Sequence, residues 1–83
     1  MRRHLYEKLK NNPKDVRFEE LCKCAESFGF GFRGQKGSHR IYVKKDVGEM
    51  LNFQNVKGRV KPYQVRQFLK VIKKYKLQRD KNV

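Results

Sequence analysis

His39 is one of two histidines in the chain, and it stands in the stretch Gln35-Lys36-Gly37-Ser38-His39-Arg40-Ile41-Tyr42-Val43. Arg33, Lys36, Arg40, Lys44 and Lys45 surround it. Imidazole is the side chain best suited to moving a proton near neutral pH. Cations around it would hold an anionic substrate and offset charge that develops in a transition state. Cleavage of RNA by its own 2′-hydroxyl needs a base for that proton, an acid for the leaving 5′-oxygen, and positive charge at the phosphate. None of these roles requires a metal. The acidic residues are scattered and form no carboxylate cluster suited to magnesium. There is no phosphate loop of the Gly-x-x-x-x-Gly-Lys type and no ordered nucleophile–base–acid triad.

Each of these residues also has a purely structural reading. His39 shares the parity of Ile41 and Val43, which turns it toward a helix layer, although its place at the start of a strand would also suit the rim. Ser38 fits a phosphate contact, a role in orienting His39, or an ordinary turn. Gly37 fits a backbone with positive φ or close approach of a phosphate. Lys36, Arg40, Lys57, Arg59 and Lys61 are ordinary solvated charges one by one, and a candidate phosphate-binding surface as a group. The start of the last helix adds amide donors beside Lys61. Tyr42 and Tyr63 have the shape to stack on bases, but packing is the expectation for both. His4 reads as an exposed terminal histidine.

The elements that must position these groups can be read from the spacing of apolar residues. Leu5, Tyr6 and Leu9 suggest a short helix over residues 2–11, stopped by Asn11-Asn12-Pro13. Phe18, Leu21, Cys22, Ala25 and Phe28 form one helical stripe, with Glu19 and Glu20 in the favourable first turn. Asp15 or a backbone turn would cap that helix. Gly29 stands where a left-handed C′ residue belongs, with Phe30 placed for the closing hydrophobic contact. A first strand starts at Phe30-Gly31-Phe32-Arg33, with Gly31 and Gly34 as candidate bulge positions. Gln35-Lys36-Gly37 is the expected turn, Ser38–Lys44 the second strand, Lys45–Gly48 another turn, and Glu49–Gln54 a third strand with Leu51 and Phe53 on one face. A basic loop over residues 55–61 leads to Pro62, and a last helix carries the stripe Val65, Phe68, Leu69, Ile72 and Tyr75. Short turns between strands imply an antiparallel meander. Two apolar helical stripes need one sheet face to cover, so the expected fold is an α+β two-layer sandwich in the order α-α-β-β-β-α, its other sheet face open.

Composition narrows the partner. The chain has 83 residues, enough for one domain, and a formal charge of +14 from 22 basic and 8 acidic residues. So large an excess implies a polyanion, and nucleic acid fits better than a membrane because no basic amphipathic segment has a broad apolar face left over. No run approaches the roughly 20 apolar residues of a membrane span. The N-terminus lacks the apolar stretch of a signal peptide, so a cytoplasmic location is expected. Cys22 reads as a core residue and Cys24 as a reduced thiol; two residues apart on a helix, they are not expected to form a disulfide, and they make no zinc site.

Taken together, Gly29-Phe30, then Gln35-Lys36-Gly37-Ser38-His39, then an apolar third strand, then Lys61-Pro62 opening an amphipathic helix, the chain resembles the HicA family of toxins. The resemblance covers residues 18–77, between an N-terminal extension (1–17) and a tail expected to fray (78–83). It implies a fold like the double-stranded-RNA-binding domain, with a three-stranded antiparallel sheet and helices on one face. It implies an mRNA interferase: metal-independent endoribonuclease cleavage of mRNA without a cofactor, and neutralisation by a HicB-type antitoxin. The family's functional histidine falls on His39, and its glycine before the serine on Gly37. Two other readings compete with a ribonuclease: a binding module of the same fold that grips RNA without chemistry, and a basic subunit that serves an acidic protein partner.

Overall fold

The computed structural model describes residues 2–78, with side chains from residue 5 onward. The elements are α1 (Arg2–Asn11), α2 (Phe18–Ser27), β1 (Gly31–Lys36), β2 (His39–Val43), β3 (Leu51–Gln54) and α3 (Pro62–Lys74). The sheet is antiparallel throughout, in the order β1-β2-β3. This is the α+β layout the sequence suggested. The side chain of His4 and the tail beyond Gln78 lie outside the described residues.

The α2 stripe packs as its spacing dictates: Phe18, Leu21, Cys22, Ala25 and Phe28 are all buried. Cys24 and Ser27 are buried as well, because α1 covers a second side of α2. No disulfide joins Cys22 and Cys24. Leu9 is fully buried, and the Tyr6 ring meets Phe28 edge-on at 5.0 Å. A Lys8–Glu20 ion pair of 2.8 Å adds a tie between the two helices. The segment ahead of residue 18 therefore shares the core. Neither Asp15 nor any other side chain caps α2; instead Glu20 reaches back to accept a hydrogen bond from the Arg17 amide at 2.9 Å. At its other end Gly29, with φ +94°, donates to the Glu26 carbonyl and Phe30 donates to that of Ala25, the double closure of a Schellman motif. Phe30 is buried behind it, as expected.

Phe68 of α3 sits at the centre, with no exposed surface. Its ring centroid lies 6.0 Å from Phe28, 6.4 Å from Phe30 and 6.1 Å from Phe53. Full burial of such side chains contributes about 1.5–3 kcal/mol each. Val65 and Ile72 join it, with Leu69 and Tyr75 half-buried; Val71 and Gln64 are further buried positions that the apolar spacing did not suggest.

The sheet corrects one expectation. Tyr42, Leu51 and Phe53 face the helices, and Tyr42 is paired in register with Leu51. Ile41, Val43 and His39 therefore lie on the open face, opposite to the side their apolar neighbours suggested. Two contacts explain the reversal. The Tyr42 hydroxyl finds a partner when buried, donating to Glu26 Oε2 at 2.7 Å. Arg40, on the same face, lays its guanidinium over the Phe18 ring at 4.8 Å and reaches Glu19 at 3.4 Å. A paired arginine and a bonded tyrosine thus take the helix side, and the plain aliphatics are left outside.

Candidate functional site

His39 begins β2 at one end of the open sheet face. The turn before it differs by one position from the expectation. β1 continues to Lys36, and only Gly37 and Ser38 form the loop, because Lys36 pairs directly with His39. Gly37 has φ +59° and Ser38 is not left-handed, the sign pattern of a type II′ hairpin with glycine at its first central position. The Gln35 side-chain amide donates to the Gly37 carbonyl at 3.2 Å and closes the loop. A bulge at Arg33, between the Phe32 and Gly34 pairings, keeps both ends of β1 in phase with β2.

On the other side, His39 pairs in register with Gln54 of β3. Residues directly opposite in a ladder hold their Cβ atoms about 4.5–5.5 Å apart, so Lys36 and Gln54 flank the imidazole in one row. Asn52 lies two residues along on the same face, and its Oδ1 meets His39 Nδ1 at 2.8 Å. An amide oxygen only accepts, so Nδ1 is the donor, and in the neutral ring the lone pair then lies on Nε2. Among the described residues no hydrogen bond occupies Nε2. The ring is half-buried and open to a partner approaching the sheet.

The basic loop reaches the same end. Asn55 donates its amide to the Ser38 carbonyl at 2.8 Å, which sets the loop beside the hairpin turn. Val56 and Arg59 exchange two backbone hydrogen bonds, of 2.8 and 3.0 Å, around a tight turn of Lys57 and Gly58, both with positive φ. Lys57 projects from its tip, and the Asn55 side chain accepts the Gly58 amide at 2.7 Å. Phe18 donates to the Gly58 carbonyl at 2.9 Å and Val60 to that of Val16 at 3.2 Å, so the loop is stapled to the start of α2. Lys61 is the N-cap residue of α3, followed by Pro62, and Tyr63 is exposed beside it rather than packed as expected.

The expected site residues therefore divide. Lys36, Gly37, Ser38, His39, Lys57 and Lys61 gather at one end of the molecule, all exposed except the half-buried His39. Arg59 is near them but pairs with Asp15. Arg40 lies on the helix face, bound to Gln35 and Glu19, and does not share a surface with His39. Glu49, at the far end of β3, accepts hydrogen bonds from Lys74 at 2.8 Å and from the Tyr75 hydroxyl at 3.3 Å. The Lys74 ammonium holds the Glu49 carboxyl below the usual carboxylate range. Burial, and then the Glu26 carboxylate, push the Tyr42 phenol far up, so its proton stays in place as a donor. Among the described residues no group of three or more His, Cys, Asp and Glu side chains is placed to hold a metal ion, and no helix is long and apolar enough to cross a membrane.

The model of a family described as the HicA toxin of bacterial toxin–antitoxin systems matches residues 18–73. The chain belongs to the HicA toxin family. The match spans α2 to all but the last residue of α3, and so takes in the hairpin turn, His39, Asn52 and the basic loop. A HicA toxin is one half of a toxin–antitoxin pair, and its partner is a cognate antitoxin. Comparison with curated proteins and with solved structures gave no match.

Asn52, Gln54 and Gln64 are the parts of this site that sequence reasoning did not single out. Their signal was present in part: Asn52 and Gln54 alternate with the core residues Leu51 and Phe53, so they had to share a face. Only the register of β3 against β2 shows that His39 is on it.

Proposed function

We propose that this HicA family toxin is an endoribonuclease that cleaves mRNA, with His39 as its proton-transfer group. The observation that carries the reading is the His39 ring on the open sheet face, held at Nδ1 by Asn52 and unbonded at Nε2, with Lys36 opposite it. In this tautomer Nε2 accepts the proton of a ribose 2′-hydroxyl. The 2′-oxygen attacks the adjacent phosphorus, the P–O5′ bond breaks, and the 5′-oxygen takes a proton from water as it leaves, the hydroxide so formed being neutralised by the His39 imidazolium; the products carry a 2′,3′-cyclic phosphate and a 5′-hydroxyl. Lys36, Lys57 and Lys61 supply positive charge to the phosphates, and the exposed backbone of Gly37 and Ser38 allows a strand to come close. The imidazolium formed in the first transfer is stabilised by the Asn52 carbonyl oxygen. Binding of a HicB-type antitoxin over this end of the molecule would stop the reaction. With its basic surface and target the protein acts in the cytoplasm.

The test is cleavage of a synthetic mRNA in excess chelator. Wild-type protein is expected to cut it, with cyclic-phosphate ends, and His39→Ala is not. A 2′-deoxy substitution at the cut position should block cleavage there. Equal cutting by wild type and His39→Ala would remove His39 from the mechanism. RNA binding without cutting by the wild type would favour the non-catalytic RNA-binding module.

A further inference from the structure

Among the described residues β3 is an edge strand, with no fourth strand bordering it. An edge residue that orients a reacting group needs something else to fix its backbone. Gln64, in the first turns of α3, does this. Its side chain is largely buried, at 6% exposure. Its Nε2 donates to the Asn52 carbonyl at 2.9 Å, and its Oε1 accepts from the Gln54 amide at 3.0 Å. One side-chain amide thus makes the two bonds to residues i and i+2 that a neighbouring strand would make. Only glutamine suits the position: glutamate cannot donate, asparagine is a methylene shorter, and an apolar residue can do neither.

The two residues that Gln64 clamps are the two from β3 that meet His39. Gln54 is its cross-strand neighbour, and Asn52 holds its ring. We propose that Asn52 and Gln64 are positioning residues: Asn52 sets the tautomer of His39, and Gln64 fixes the strand from which Asn52 does so. This rests on the reading of His39 as the proton-transfer group. The tautomer matters because unconstrained neutral histidine favours the proton on Nε2, which would leave the exposed nitrogen unable to accept one. A Gln64–Asn52–His39 chain also locks the ring to α3, whose N-cap residue is Lys61, so the base and a phosphate-binding cation move as one body.

The experiment reads the ring nitrogens directly, by long-range proton–nitrogen correlation on 15N-labelled protein at a pH where the imidazole is neutral. A His4→Gln background leaves His39 as the single histidine. The expected result is an Nδ1-protonated ring, which shifts to the Nε2-protonated form or a mixture in Asn52→Ala. Cleavage in the same variant should fall in kcat on the order of 10–100-fold, the loss typical when a group that orients a catalytic ligand is removed, with KM little changed. Asn52→Asp should keep the Nδ1 proton and move the acid limb of the pH–rate profile upward, because an anion at that position favours the imidazolium. Gln64→Met keeps length and packing but removes both hydrogen bonds. It should give a mixed tautomer and a smaller loss of kcat, with Gln64→Glu as the second variant should Met fail to fold. An Nε2-protonated ring in the wild type, or an unchanged tautomer and kcat in Asn52→Ala, would overturn the assignment. The nitrogen measurement needs no cleavage. A wild type that leaves RNA intact would therefore sink the nuclease reading, while the tautomer would still decide the positioning.

Discussion

Replacing His39 by alanine separates a working residue from a structural one, because the structure gives different sizes for the two effects. The ring stands outside the hydrophobic core, on the open face. What it loses is one side-chain hydrogen bond, to Asn52. Such a bond contributes about 0.5–1.5 kcal/mol to stability. For a domain of this size each kcal/mol moves the melting temperature by about 4–8 °C, so the expected fall is about 2–12 °C. Phe68→Ala is the control: it empties the centre of the aromatic cluster, should cost about 3–5 kcal/mol, and would leave little folded protein on warming. Activity should order the other way. Removing the general base is expected to slow RNA cleavage by about 10²–10⁴-fold. Thermal unfolding by circular dichroism and a cleavage time course on the same preparations give both numbers. Two results would refute the reasoning: a thermal loss in His39→Ala as large as that in Phe68→Ala, or more than about a tenth of the wild-type cleavage rate remaining.

Other expectations follow from the same geometry. RNA affinity of the inactive His39→Ala protein should fall with salt, and Lys36→Ala, Lys57→Ala and Lys61→Ala should each flatten the log–log slope by about 0.7; Arg40→Ala should leave it nearly unchanged, since Arg40 faces α2 and Glu19. Stability should fall on acidification. Burial works against it, but the Lys8 ammonium and the Arg17 amide hold the Glu20 carboxyl below its ordinary value. A carboxyl lowered in the folded state contributes stability above its unfolded value and loses it as pH falls through the folded one, so Glu20→Gln should flatten the melting profile below about pH 5. Lys76 closes α3 in the left-handed region, at φ +52°, where a side chain is strained; Lys76→Gly should raise stability by about 0.5–1 kcal/mol in denaturant titration. Cys22 lies in the core and burial pushes its thiol up, so it should resist alkylation at neutral pH until the protein is unfolded.

Much of this molecule is written locally in its residues. The α2 stripe, the Gly29-Phe30 closure and the Pro62 start of α3 are properties of a few neighbouring positions, and each appears where its spacing placed it. The cationic surroundings of His39 are equally plain from composition. The face on which the ring stands is different, because alternation divides a strand into two sets without saying which set is inside. Ile41 and Val43 are the more apolar pair, yet Tyr42 and Arg40 face the helices, since Glu26, Glu19 and Phe18 arrive from a distant helix to satisfy them. The partner of the imidazole was out of reach for the same reason: Asn52 is 13 residues away, and Gln64, which holds its strand, a further 12. Sequence alone set which residues could do the chemistry; the register of β3 against β2, and the docking of α3 along its edge, decided which of them meet.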